Sequence, residues 1–190
     1  MTKGKRNQKK AVFGFKTFPV PFSLGEMKEN ITISNKNPAK PSKEKIINQA
    51  FKFHSQGNIR EAAKYYQYFI NQGLKDYRVF SNYGVILNDL GNSQEAELST
   101  RKAIELNPNF ADAHYNLGNI LRDLGKLQEA ELSYRKAIEL NPDYAEAHSN
   151  LGIILKDLGK LQEAELSYRK AIKLNPDYAE AHSNLGIILK

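Results

Sequence analysis

The sequence has no cysteine and no apolar run of the roughly 18 residues that a membrane-spanning helix needs. The first absence excludes disulfides and cysteine-ligated metal sites. Catalytic signatures are missing as well: the sequence contains no glycine-rich phosphate loop, no nucleotide fingerprint and no metal-binding cluster. We therefore predict a protein that is not an enzyme, uses no cofactor or metal and acts on no small-molecule substrate.

The N-terminus is basic and is followed by the stretch AVFGFKTFPVPFSLG, which glycine, lysine and two prolines interrupt. This is a poor signal-peptide core, so we predict a cytoplasmic protein. Residues 1–42 hold nine Lys and Arg against two Asp and Glu, whereas residues 43–190 hold 19 of each kind. The formal net charge of +7 therefore belongs to the N-terminal tail and not to the rest of the chain.

Residues 1–42 combine Lys, Pro and Asn without an apolar period, which predicts a disordered tail. Two interpretations of this tail stay open. In the first it is solvated, and its irregularly spaced phenylalanines touch the neighbouring repeat. In the second it docks a partner, or contacts nucleic acid or a membrane through its basic residues.

The rest of the chain is organised by a unit that recurs every 34 residues. The block 157–190 repeats the block 123–156 with one change, Glu139 to Lys173. A period of this length indicates a solenoid, in which each unit buries its apolar face against its neighbours. We predict a degenerate capping repeat at 43–76, full repeats at 77–110, 111–144 and 145–178, and the first helix of an incomplete repeat at 179–190.

Each full repeat has the pattern of two helices. Just before the repeat 111–144, Asn107-Pro108 is a typical helix start, and Gly125 suits the left-handed end of the first helix. Apolar and small residues recur at helical spacing and predict the buried stripe. On the first helix these are Ala111, His114, Leu117, Gly118 and Leu121, and on the second Leu127, Ala130, Tyr134, Ala137, Ile138 and Leu140.

This pattern resembles the tetratricopeptide repeat. The resemblance rests on Leu117-Gly118, Ala130, Tyr134, Ala137 and Pro142, which recur one period later as Leu151-Gly152, Ala164, Tyr168, Ala171 and Pro176. In the preceding repeat Thr100 departs from the aromatic position. The resemblance implies an all-α, helix-turn-helix solenoid in a right-handed superhelix. Its concave face, lined by the first helices, would bind extended peptides or partner helices.

One polar residue occupies the same place on four successive first helices: Asn82, Asn116, Asn150 and Asn184. An amide can both donate to and accept from a peptide backbone, so these residues predict a ladder along the concave groove. The alternative is that each asparagine bonds to the neighbouring helix and orders the stack. The ladder is similar to that of the O-linked N-acetylglucosamine transferases. Four further residues are expected in the groove: Tyr115, Asn119, Arg122 and Lys156.

Three histidines also recur with the period, at positions 114, 148 and 182. Successive helix pairs lie about 8–10 Å or more apart, so one metal ion cannot reach all three, and we expect them to be core or partly buried residues. The charged residues of the second helices, such as Arg135 with Glu131, predict a solvated convex face with local ion pairs.

The function that these features favour is an adaptor that binds extended peptide segments of partner proteins. The alternative is the substrate-recruiting arm of a longer glycosyltransferase-like enzyme. The last stretch, 179–190, is an apolar first helix without a second helix in the sequence. Self-association through this helix is a further expectation.

Overall fold

The computed structural model describes residues 41–189, and the tail predicted for residues 1–42 lies almost entirely outside them. Residues 41–189 contain helices and no strands, so the predicted all-α solenoid is confirmed for this part of the chain. The longest of them has 14 residues, so none of the described helices can span a bilayer. The helices are α1 (Lys43–Ser55), α2 (Ile59–Asn71), α3 (Tyr77–Asp89), α4 (Ser93–Leu106), α5 (Ala111–Asp123), α6 (Leu127–Leu140), α7 (Ala145–Asp157), α8 (Leu161–Leu174) and α9 (Ala179–Ile188).

The turn inside each helix pair is made by a glycine in the left-handed region. Gly125 has φ +72°, as its place in the sequence predicts, and its N–H donates to the carbonyl of Arg122. The next N–H, of Lys126, donates to the carbonyl of Leu121 at 2.8 Å. These bonds satisfy the free carbonyls at the end of α5 and let α6 begin at Leu127.

The predicted helix start at Asn107-Pro108 is wrong. Helix α5 begins three residues later, at Ala111. Asn107 instead follows the last turn of α4, where its N–H donates to the carbonyl of Ala103 and its Oδ1 accepts the N–H of Asn109 at 3.2 Å. Pro108 has no N–H with which to continue α4, so the dipeptide ends one helix and does not start the next.

The helices of a pair pack through small residues, as the sequence predicts. A Cβ placed on Gly118 would lie 2.6 Å from the ring of Tyr134, which is fully buried together with Ala130 and Ala137. Leu117 and Leu121 of the predicted stripe are buried as well. In the preceding repeat, Thr100 takes the tyrosine's place, and its buried hydroxyl has no hydrogen-bond partner among residues 41–189.

The three histidines tie the connecting loops to the first helices. Each Nε2 lies 2.8–3.0 Å from the carbonyl oxygen of the proline six residues earlier, to which it donates. His114 and His148 are half-buried, as expected, but His182 is exposed because nothing in the described region follows α9 to cover it. Residues 41–189 contain no group of three or more His, Asp or Glu placed to hold a metal ion.

Neighbouring repeats approach each other more closely on one side of the array. The first helices contact their counterparts in the next repeat, α3 with α5, α5 with α7 and α7 with α9. The second helices do not meet their counterparts to the same extent in the described region. We call the face formed by the first helices, where neighbouring repeats approach more closely, the inner face, and the face formed by the second helices the outer face.

Candidate functional site

The asparagines expected to form the ladder lie on the first helices α3, α5, α7 and α9, one on each helix. Three of them use the amide nitrogen toward the preceding repeat. Nδ2 of Asn82 donates to the hydroxyl of Tyr66 at 3.4 Å, and Nδ2 of Asn116 donates to the hydroxyl of Ser81 at 3.1 Å. This is the stack-ordering role that the sequence left open as the alternative.

Asn150 has the most extensive contacts of the four. Its Nδ2 donates to the hydroxyl of Tyr115 at 3.2 Å and to Oδ1 of Asn119 at 2.9 Å. For Asn82, Asn116 and Asn150 alike, no hydrogen bond to Oδ1 occurs within residues 41–189. The stack therefore holds each amide by its nitrogen and leaves its oxygen without an internal donor. Asn184 is half-buried, and its amide makes no hydrogen bond in the described region.

Tyr115 and Asn119 belong to one polar and aromatic cluster at the junction of two repeats. Asn119 Oδ1 accepts the hydroxyl of Tyr134 at 2.7 Å in addition to the amide of Asn150. Burial raises the pKa of Tyr134 far above 10.0, so this hydroxyl stays protonated and donates. The ring of Tyr115 packs on that of Tyr144, with centroids 4.8 Å apart. The structure thus brings these predicted site residues together through side chains of the core.

Arg122 and Lys156 occupy the ends of α5 and α7, and each lies beside an acidic neighbour. Arg122 Nε is 3.5 Å from a carboxylate oxygen of Asp123, and Lys156 Nζ is 3.9 Å from one of Asp157. About a third of each basic side chain is exposed. These two repeats each add one cation and one anion here, and the repeat 77–110 adds only an anion through Asn88 and Asp89. Within residues 41–189 the first helices therefore carry neither a clamp of stacked cations nor a basic track.

A feature that the sequence analysis missed lies on the outer face. Glu131 is only 8% exposed, and its carboxylate accepts from Arg135 in the same helix and from Lys160 in the next repeat at 2.8 Å. Arg135 also reaches Glu163 of that repeat. The local ion pair was predicted and is confirmed, but the bridge between repeats was not. The sequence feature that could have indicated this bridge is a glutamate followed 29 residues later by a lysine. The feature occurs twice, because Lys126 binds Glu97 in the same way as Lys160 binds Glu131.

The bridge predicts an acid-sensitive contribution to stability. Burial acts to raise the pKa of Glu131, but hydrogen bonds from Lys160 and Arg135 and the charges of both lower it by more, so the net pKa falls below 4.5. A carboxyl with a lowered folded-state pKa stabilises the fold above its unfolded pKa and loses this contribution as pH falls through the folded value. We expect Glu131→Gln to reduce stability at neutral pH and to flatten its loss below pH 4.5.

This prediction is checked by urea unfolding at a series of pH values. Glu129→Gln is the matched control, because Glu129 is exposed and its pair with Arg101 is a surface pair. Parallel pH profiles for Glu131→Gln and the wild type would contradict the role assigned to Glu131.

Family models of the tetratricopeptide repeat match residues 77–110, 100–131, 118–159 and 152–190. Together these matches run without a break from residue 77 to residue 190, which is more than half of the 190-residue chain. A search of curated proteins found no match.

Several solved structures share the fold. MamA from Desulfovibrio magneticus RS-1 is 24% identical, with a TM-score of 0.70 over 79% of this chain and 85% of that one. YrrB, described as a TPR protein with an unusual peptide-binding site, is 23% identical, with a TM-score of 0.67 over 75% of this chain and 73% of that one.

The first TPR domain of Spaghetti (RPAP3), bound to the HSP90 peptide SRMEEVD, is 27% identical. Its TM-score is 0.59 over 60% of this chain and 90% of that one. Helix pairs closed by a left-handed glycine, a tyrosine packed on a helical glycine and the run of family matches agree with one another. The chain therefore belongs to the tetratricopeptide-repeat family.

Proposed function

We propose that the protein is an interaction adaptor that binds extended peptide segments of partner proteins along its inner face. The observation that carries the proposal is the row of asparagine amides on α3, α5 and α7, held by their nitrogens with their oxygens left over. Two solved structures with this fold support it, since one is described by its peptide-binding site and the other is bound to a peptide.

The amide oxygens suit the N–H groups of a peptide backbone. Each Nδ2 is fixed by a side chain of the preceding repeat, so the oxygen is oriented before a peptide arrives and little rotamer freedom is lost on binding. Such contacts do not read side chains, so binding tolerates different sequences. Each hydrogen bond contributes about 0.5–1.5 kcal/mol net, which gives weak binding that adds up along the array.

The charged residues of the inner face fit this role. Arg122 and Lys156 each sit beside an aspartate, so they add no net charge at their positions. Tyr115 presents a half-buried ring next to Asn150, against which a side chain of the peptide can pack. The inner face thus offers side-chain oxygens that can accept the N–H groups of a peptide backbone, together with an aromatic surface. It has no net charge at these positions that would select peptides by their charge.

The double variant Asn116→Ala, Asn150→Ala tests the proposal. We expect about tenfold weaker binding of an extended peptide by fluorescence anisotropy, because two acceptor contacts worth about 1.4 kcal/mol together are lost. The same peptide with N-methylated backbone amides has no N–H to donate. We expect it to bind the wild type at least as weakly as the parent peptide binds the variant, because it also loses the contact with Asn82.

The control is Ser81→Ala, which removes the partner of the Asn116 nitrogen but leaves the Asn116 oxygen in place. We expect a smaller loss of affinity from this change. Unchanged peptide affinity in the double variant, with an intact circular dichroism spectrum, would contradict the proposal. Equal binding of the N-methylated peptide would contradict it as well.

The narrower expectations stay predictions. The particular resemblance to the arms of O-linked N-acetylglucosamine transferases is one of them, because the family matches are to the tetratricopeptide repeat in general. The intact mass of the endogenous protein distinguishes an adaptor of this length from the arm of a longer enzyme.

Two further predictions concern the ends of the sequence. Contact of the basic tail with nucleic acid or membrane falls on residues outside the described part. Self-association through α9 concerns the exposed Ile187 and Leu189 and is tested by light scattering.

A further inference from the structure

The outer face carries an apolar feature that neither the core nor the inner face accounts for. Leu98, Leu132 and Leu166 stand at the same place on the second helices α4, α6 and α8. Each of them is 67–68% exposed. A single exposed leucine is ordinary, but the same leucine exposed on three successive repeats forms a regular apolar row.

One of these leucines borders an open cleft of about 400 Å³ on the outer face. The cleft lies between α6 and α8, with residues of α7 at its base. Its size falls in the range of ligand pockets, about 300–1,000 Å³. The apolar side chains that line it are Ile138, Leu151 and Leu166, and the polar ones are Arg135, Glu139, His148, Ser167 and Lys170.

Lys170 is the residue that distinguishes this cleft from the rest of the outer face. In α4 and α6 the equivalent lysines, Lys102 and Lys136, each bind a glutamate three residues later at 2.6 Å. In α8 that position holds Lys173, the one difference between the two blocks of the duplication. Lys170 therefore has no carboxylate partner in the described region, and a second cation lies one helical turn away.

The other charges of the cleft already have partners. Arg135 binds Glu131 and Glu163, and Glu139 binds Lys136 one turn earlier in α6. His148 donates to the carbonyl of Pro142, and burial lowers its pKa below 6.5, so it is neutral at pH 7. Lys170 is thus the charged residue lining this cleft that has no carboxylate partner among residues 41–189, and the exposed Lys173 lies one helical turn beyond it on α8.

We propose that this cleft is a second binding site, which takes an acidic segment of a partner protein. An aliphatic side chain of that segment packs against Leu166, Ile138 and Leu151. Carboxylates beside that side chain pair with Lys170 and Lys173. They take the place of the glutamate that pairs with the equivalent lysine in α4 and α6. The two parts of the site act on different chemistry: the apolar floor gives affinity, and the lysine pair selects acidic sequences.

The proposal does not rest on the function assigned to the inner face, because none of the asparagines proposed to bind a peptide there lines the cleft. It also predicts that the site occurs once in the described array. The equivalent position in the preceding repeat has the exposed Leu132, but its lysine is neutralised by Glu139. An acidic segment gains no unpaired cation there.

The test uses the full chain and a short fluorescein-labelled peptide of leucine and glutamate as the probe. We expect saturable binding that Leu166→Ala weakens about tenfold and Lys173→Glu weakens about fivefold, the second because it restores the partner of Lys170. The same peptide with glutamine in place of glutamate is expected to bind at least fivefold more weakly than the probe.

Two matched variants control for general effects. Leu98→Ala removes an equally exposed leucine from the same place on α4, and Arg60→Glu changes the net charge as Lys173→Glu does, but on the exposed surface of α2. Both are expected to leave probe affinity unchanged. The proposal is overturned if the probe does not bind saturably, if the glutamine peptide binds equally well, or if Leu166→Ala and Lys173→Glu leave binding intact. It is also overturned if light scattering shows a dimer that Leu166→Ala dissociates, because a second copy would then occupy the cleft.

Discussion

Replacing Tyr134 with alanine is expected to lower the free energy of unfolding by about 3–5 kcal/mol. The ring is fully buried between α5 and α6, and it packs on Gly118, which has no side chain that could move into the space. Its hydroxyl also fixes Asn119 at 2.7 Å, and Asn119 in turn accepts from Asn150 of the next repeat. The substitution therefore opens a cavity inside one repeat and loosens its junction with the next.

The measurement is urea unfolding followed by circular dichroism, with Tyr134→Phe as the control. Phenylalanine keeps the ring and loses only the hydroxyl bond, which is worth about 0.5–1.5 kcal/mol. If Tyr134→Phe destabilises the protein as much as Tyr134→Ala, the hydrogen bond outweighs the packing and the explanation above is wrong.

A methyl group added at Gly118 is expected to destabilise the protein by about 2 kcal/mol, even though alanine is the better helix former. The new Cβ of Gly118→Ala would lie 2.6 Å and 2.7 Å from two carbons of the Tyr134 ring. That ring is fully buried, so relief of the overlap requires α5 and α6 to separate or the ring to leave its rotamer.

The chain contains its own control for this effect. Gly186 holds the same position in α9, and a Cβ added there meets nothing within 4 Å. Gly186→Ala should therefore stabilise the helix by about 0.5–1 kcal/mol. The two substitutions are chemically identical and are expected to have opposite signs. Thermal unfolding of both variants measures this directly, and a rise in the melting temperature of Gly118→Ala would contradict the close approach of α5 and α6.

The helix pairs could be predicted from the sequence because their causes are local. Gly125 and the spacing of Leu117, Gly118 and Leu121 depend on turn chemistry and on helical periodicity, which a single repeat already contains. The Asn107-Pro108 start failed for a local reason as well. An asparagine followed by proline can either begin or end a helix. Here the N–H of Asn107 still donates to the carbonyl of Ala103, so the dipeptide ends the preceding helix.

The site was harder to predict because its contacts join different repeats. The sequence placed Asn116 and Asn150 on the first helices, but it could not show that their nitrogens face residues 35 positions earlier. Glu131 is buried against the next repeat, where it binds Lys160, 29 residues further on. The residues of its own helix indicate only a surface ion pair, because they do not show this contact. Periodicity identifies which residues are equivalent, whereas the superhelical geometry determines which equivalents meet.

The bridge through Glu131 has a consequence for how such an array changes in length. The repeats 111–144 and 145–178 each bring a glutamate for the unit that follows and a lysine for the unit that precedes, and Lys126 with Glu97 makes the same bond as Lys160 with Glu131. A unit gained or lost by unequal recombination therefore leaves complete junctions on both sides of the event. The near-identical blocks 123–156 and 157–190 are what such an event produces. Their one difference, Lys173, then shows how a duplicate can acquire a new surface charge while its joints stay unchanged.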